Sequence, residues 1–312
     1  MTFEDDTFTA DDGVGLYTCT WRPSARPKGL VHIAHGLGEH CRRYDWTAEK
    51  LAESGFLVYA HDHRGHGSTA KDFEKLGFFA TSNGWDRAIQ DLRLLLEAEK
   101  RANPGLPMIL FGHSMGSFMA QHMMYMHGDR FDACVLSGST GAAGLRVQFL
   151  WTLAQLERWR VGSRGRSIPL HRMALADANR AFEPRRTDFD WLSREPGVVE
   201  RYVQDPYCGF IGTVRLWLDL IEGVLFITRP SNRRRAPKGM PIYIFAGTKD
   251  PVGSGCKSLE NLLGAYRQNG MTDVSHKFYP EGRHEMLNET NREEVIADLM
   301  EWLNSTVTKL AG

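Results

Sequence analysis

Residues Gly112-His-Ser-Met-Gly116 follow directly on the apolar run Pro107-Met-Ile-Leu-Phe111 and precede a helix-like stretch, Ser117-Phe-Met-Ala-Gln-His-Met-Met124. A serine on such a strand-to-helix turn is pushed out of the sheet edge with its hydroxyl exposed, the arrangement known as a nucleophile elbow. The turn needs a strained backbone, and small residues two positions to either side let strand and helix approach closely. This pentapeptide therefore constrains the chain to a sheet with helices packed on it and marks Ser114 as a nucleophile.

The rest of the chain has a matching rhythm. Thr7–Thr9 and Gly15–Trp21, separated by Asp11-Asp12-Gly13, predict an N-terminal hairpin. Strands are expected at Leu30–Ala34, Phe56–Ala60, Met108–Phe111 and Ala133–Leu136, with helices at Tyr44–Glu53 and Trp85–Lys100 between them. Their apolar runs are continuous rather than alternating, as in a parallel sheet covered on both faces. The rhythm stops at Thr140 and resumes with a strand at Pro241–Ala246, a helix near Lys257–Gln268, a strand at Val274–Tyr279 and a closing helix at Arg292–Leu303. A sheet core interrupted by an insert of a hundred residues, 140–239, is the expected organisation.

That insert differs in charge from the core. It carries 17 Lys and Arg against 10 Asp and Glu, a surplus of seven, although the whole chain balances at 38 of each. It also holds Trp151, Trp159, Trp191 and Trp217. Leu145–Arg160 and Val214–Leu225 place bulky apolar groups at helical spacing, so a helical cap over the carboxyl edge of the sheet is expected. The run Arg229-Pro-Ser-Asn-Arg-Arg-Arg235 reads as an exposed linker.

Neutral overall charge gives no sign of nucleic-acid binding. The five cysteines are scattered, without a Cys-x-x-Cys pair, which suggests a reducing compartment. The acidic N-terminus has no secretory pattern, and no run of about 18 apolar residues predicts a membrane span. A cytoplasmic protein, peripheral at the membrane at most, is expected.

A serine hydroxyl needs a base to take its proton, and the base needs a carboxylate to orient it and stabilise its cation. With this elbow the chain order runs serine, acid, histidine. Asp250 follows the strand at Pro241–Ala246, and His284 follows the strand at Val274–Tyr279, so both stand at carboxyl ends of strands. His276 is the other histidine beyond Asp250, but it lies within a strand; Asp273 begins one at the far edge. Negative charge on the substrate oxygen calls for preorganised N–H donors. The amide of Met115 is one, and Leu37 in the glycine-bearing loop His35-Gly-Leu-Gly-Glu-His40 is the expected second. The histidines of His61-Asp-His-Arg-Gly-His66 lack the acid at position 65 that a binuclear metal motif would need, so they are read as bracing this loop, with no metal or organic cofactor.

Five blocks, His35–His40, Asp62–Gly67, Gly112–Gly116, Asp250-Pro-Val and Gly282-Arg-His284, resemble in order those of the monoacylglycerol lipase and lysophospholipase branch of the α/β-hydrolase superfamily. Trp191-Leu-Ser-Arg194 and Asp205-Pro-Tyr-Cys-Gly-Phe210 are similar to segments of bacterial lysophospholipases. One departure is Ser117, where that family commonly has glycine. The resemblance implies an α/β-hydrolase fold, a mostly parallel sheet flanked by helices, with residues 1–139 and 240–312 as core and 140–239 as an inserted helical lid. It implies a serine hydrolase of lipid-like carboxylic esters, monoacylglycerol or lysophospholipid. The cationic, aromatic cap adds transient contact with an anionic membrane surface. A short-chain carboxylesterase, an aminopeptidase, an acyltransferase and a cofactor-free perhydrolase use the same three side chains. A peptidase would want a cap carboxylate such as Glu157, Glu195 or Glu222 for the free amino terminus. A non-catalytic ligand-binding protein of this fold is the alternative of another class.

Overall fold

The computed structural model describes residues 1–175 and 178–311. In chain order its main elements are β1 (Thr2–Thr9), β2 (Gly15–Arg22), β3 (Gly29–Ala34), α1 (Asp45–Glu53), β4 (Phe56–His61), α2 (Gly67–Ala70), α3 (Gly84–Ala102), β5 (Met108–His113), α4 (Met115–His127) and β6 (Ala133–Ser137). There follow α5 (Leu145–Val161), α6 (Ile168–Leu175), α7 (Pro196–Gln204), α8 (Val214–Thr228) and α9 (Pro230–Arg233), then β7 (Ile242–Gly247), α10 (Lys257–Gln268), β8 (Val274–Tyr279) and α11 (Arg292–Ala311).

The strands form one sheet among the described residues, in the order β1-β2-β4-β3-β5-β6-β7-β8. From β4 to β8 all neighbours are parallel, while β1 and β2 run antiparallel. This is the α/β-hydrolase architecture that the sequence predicts. The continuous apolar runs have the expected cause: successive residues face two separate cores. On β5, Met108 and Leu110 join the layer under α3, α4 and α10, while Ile109 and Phe111 join the layer under α1 and α11. The outer strand β1 is longer than its apolar content suggests and exposed along nearly its whole length. Glu4, Asp5 and Asp6 on this edge oppose pairing with another chain.

Between β6 and β7 the described residues add five helices and no strand to the sheet. Helix α8 anchors this stretch on the core. The Trp85 ring on α3 occupies the space that a side chain at Gly223 would need, and Asp219 accepts the Gly84 amide while pairing with Arg215. One local expectation is corrected here. The basic run 229–235 is not a plain exposed linker, because Pro230–Arg233 forms a helical turn and the buried Arg233 guanidinium donates to the carbonyls of Ile227 and Gly141. Those carbonyls lie at the end of α8 and in the loop after β6, and a guanidinium's forked donors suit two such acceptors at once. No helix of the described residues is long and apolar enough to cross a membrane.

Candidate active site

Ser114 sits between β5 and α4 at φ 51° and ψ −120°, the strained geometry expected of the elbow. Its neighbours explain how the turn closes. A Cβ at Gly116 would collide with the Ala34 carbonyl, and one at Gly112 with the Gly116 backbone. Ser117, the family departure, packs without exposure, and its hydroxyl donates to the Ser114 carbonyl at 2.6 Å. It also lies 2.7 Å from Ser139 Oγ, which ties the elbow to the end of β6.

Asp250 lies just beyond β7 and His284 just beyond β8, so adjacent parallel strands deliver them to the same edge. His284 Nδ1 is 2.9 Å from Asp250 Oδ1, which also accepts the Val252 amide at 2.9 Å. Both side chains are buried, with Asp250 at 0% and His284 at 2% exposure. Burial alone would lower the His284 pKa, but the charge and hydrogen bond of Asp250, supported by Glu285 and Glu39, outweigh it and raise the pKa above its ordinary value. Ser114, His284, Leu37 and Met115 line one cavity of about 280 Å³.

The loop His35–His40 is held from three directions. Glu39 Oε1 accepts the Gly36 amide at 2.5 Å and the Tyr44 hydroxyl at 2.9 Å. His35 Nε2 accepts the His63 amide at 3.0 Å, which leaves the ring proton on Nδ1 to donate to the Gly36 carbonyl at 2.7 Å. His63 Nε2 returns a bond to the His35 carbonyl at 3.0 Å. The histidine-rich segment thus braces this loop as the sequence suggests. Burial pushes His35 and His61 well below the ordinary imidazole pKa, His63 to about 3 and His66 to about 4, so the cluster is neutral. The amides of Leu37 and Met115 donate to no acceptor among the described residues. Met115 begins α4, whose aligned peptide dipoles favour negative charge at that end.

Several residues of the site are not legible in the sequence. Arg43 bridges Glu39 at 2.6 Å and Glu285 at 2.6 Å, a buried ion triad joining the Gly36–Gly38 loop to the residue after His284. Burial opposes ionisation of Glu285, but the Arg43 charge and its hydrogen bonds hold this carboxyl below the usual range. Glu39 lies within a noticed motif and Glu285 directly follows one, yet Arg43 meets Glu285 across 242 residues of chain. The β6–β7 segment also contributes. The Trp191 ring lies 4.9 Å from the His284 ring, the Trp191 carbonyl accepts the His284 amide at 3.3 Å, and Tyr202 donates to the Gly38 carbonyl at 2.8 Å. The outer cavity wall is apolar, formed by residues such as Phe118, Leu150, Trp217, Leu220, Ile221 and Val224.

Comparison with known proteins places these features in a family. The sequence pattern of the family described as serine aminopeptidase, S33, matches residues 25–291. A monoacylglycerol lipase of Mycolicibacterium smegmatis is 28% identical over 97% of this chain and 98% of its own, and a monoglyceride lipase of Mus musculus is 27% identical over 90% and 86%. Among solved structures, a thermostable carboxyl esterase from Bacillus coagulans superposes with a TM-score of 0.90 at 29% identity, covering 98% of this chain and 99% of the esterase. The chain belongs to the serine aminopeptidase S33 family of α/β-hydrolases.

Proposed function

We propose that the protein hydrolyses carboxylic esters of lipid-like alcohols, monoacylglycerols foremost, through an acyl-enzyme on Ser114. The observation that carries this reading is the cavity, where Ser114 and His284 stand at the base of a predominantly apolar wall. Ser114 Oγ attacks the ester carbonyl while His284 Nε2 takes its proton, and Asp250 orients the ring and stabilises the cation. The oxyanion is received by the amides of Leu37 and Met115. His284 then returns the proton to the leaving glycerol oxygen, and water admitted to the site repeats the sequence to release the fatty acid. Among the described residues the one side-chain hydrogen bond of His284 is that of Nδ1 to Asp250, and contacts of the base with the serine commonly tighten only with substrate bound.

The ester preference in the relatives' names supports this over peptide cleavage, and so do the charges. The cavity's two carboxylates, Glu39 and Glu285, are both tied to Arg43. Outside the cavity, Glu157 is bound to Arg160 and Glu222 lies against Arg215. Glu195 is exposed and, like Glu157 and Glu222, stands outside the cavity lining, so none of the three expected anchors faces Ser114.

Segment 140–239 serves as the lid, since its residues form most of the apolar wall. Binding energy of about 0.8 kcal/mol per buried methylene predicts that kcat/KM rises about fourfold for each carbon added to the acyl chain until the cavity is full. Hydrolysis of a series of p-nitrophenyl or glyceryl esters measures this. A flat profile beyond four carbons would refute the lipid assignment.

The lid also carries an apolar stripe on its outer surface. Leu145, Phe149, Leu156 and Trp159 are 82, 57, 61 and 91% exposed, at helical spacing along α5, with exposed Arg158 beside them. Ile168 and Met173 on α6 add to this apolar surface. Such a face inserts into the boundary of an anionic bilayer, where the substrate resides. Co-flotation with phosphatidylglycerol vesicles is expected, and Leu156→Glu with Trp159→Glu should reduce the bound fraction by at least about tenfold, given ~1.5 kcal/mol or more per large side chain. Unchanged flotation of the double variant would refute membrane contact through α5.

A further inference from the structure

Away from Ser114, the structure brings three chemically different ligand groups together. His40, Asp205 and Cys208 place an imidazole nitrogen, a carboxylate oxygen and a thiol sulfur all within 4.8 Å of one another. We propose that this cluster is a zinc site that clamps the loop bearing Leu37 to the 205–209 loop of the lid.

The donor atoms are arranged for coordination. His40 Nε2 lies 2.9 Å from Asp205 Oδ2. With zinc–ligand bonds of about 2.0 to 2.3 Å, neighbouring donors around a tetrahedral ion sit roughly 3.3 to 3.8 Å apart, so small side-chain rotations admit the ion. The second carboxylate oxygen, Asp205 Oδ1, is occupied by the Tyr207 amide at 2.8 Å, which leaves Oδ2 turned towards His40. A ligand oriented by an outer hydrogen bond is the usual construction of a metal site. Cys208 is buried to more than nine-tenths, and its thiol has no hydrogen-bond partner among the described residues. Side-chain exposures of 15% at His40 and 29% at Asp205 leave an entry path from solvent.

The imidazole, carboxylate and thiolate donors match a borderline ion such as zinc better than magnesium or calcium. On binding, the thiol loses one proton to solvent, His40 coordinates through Nε2, and a water completes the tetrahedron. The Gly209 amide already ties the 205–209 loop to the Gly38 carbonyl at 2.9 Å, and Tyr202 on α7 donates to the same carbonyl. Zinc adds a third and stronger tie. Because His40 and Asp205 are 165 residues apart in the chain, no local cysteine or histidine spacing announces the site.

The test uses the full chain, stripped of metal by chelation and titrated with Co²⁺ as a spectroscopic stand-in. One equivalent should produce a thiolate-to-cobalt charge-transfer band that Zn²⁺ displaces, and affinity should tighten about tenfold per pH unit as the thiol proton is released. Cys208→Ser should abolish the band, and Asp205→Asn should weaken binding at least tenfold. Zinc should raise the thermal midpoint of the unmodified chain but not of Cys208→Ser. Circular dichroism verifies that each variant is folded, and Asp205→Asn provides the decision should Cys208→Ser unfold. A missing band, or binding undiminished in folded variants, overturns the proposal. These readouts do not involve ester hydrolysis, so their failure is separate from failure of the proposed reaction.

Discussion

Ser114→Ala is expected to lower kcat for any ester substrate by about 10⁵ to 10⁶, because it removes the hydroxyl on which the proposed acyl-enzyme forms. Fold stability should hardly change, since the substitution removes only an oxygen that has no hydrogen-bond partner among the described residues. A fluorophosphonate probe should label the unmodified protein at residue 114 alone and leave the Ala variant unlabelled, as read by intact mass and peptide mapping. Labelling at another serine, or ester turnover surviving in the Ala variant, would remove the proposed mechanism.

Asp250→Asn addresses the second member of the set, with an expected loss in kcat of about 10³ to 10⁴. The amide can offer its NH₂ group to His284 Nδ1, which favours the tautomer with the proton on Nε2 and blocks proton acceptance from Ser114. The pH profile gives an independent reading. The base works as neutral imidazole, and its pKa lies above the ordinary value in the intact site. Activity of the unmodified enzyme should therefore fall as pH drops through a value above 6.5. Without the aspartate charge, burial dominates, and the acid limb of kcat/KM should move downwards in the variant. A kcat/KM profile on a water-soluble ester at constant ionic strength measures both limbs. An acid limb that stays in place would mean that Asp250 does not govern the histidine.

Helix α10 has the expected ends, because hydrophobic periodicity is a local property and Leu259, Leu262, Leu263 and Tyr266 carry it at helical spacing. Helix α11 runs to Ala311, well past the expected Leu303, since its last turns pack Thr306 and Val307 into the core where polar neighbours dilute the pattern. The basic run before β7 was misleading for a related reason. Arginine reads as a surface residue by type, but Arg233 has carbonyls at hand that satisfy its donors inside the protein.

The strand-to-helix turn at Ser114 and the positions of Asp250, His284 and the glycine loop with Leu37 at strand ends were legible because each is set by a few adjacent residues. The Arg43 triad, the placing of Trp191 against His284 and the meeting of His40 with Cys208 were not. What the amino-acid order alone determined is which local segments become strands, helices and strained turns, since side-chain alternation and backbone sterics act over a few residues. What only the tertiary structure decided is which distant charges neutralise one another and which residues of segment 140–239 line the cavity. Those outcomes depend on the paths of long irregular segments, whose packing against the sheet leaves no periodic trace in the chain.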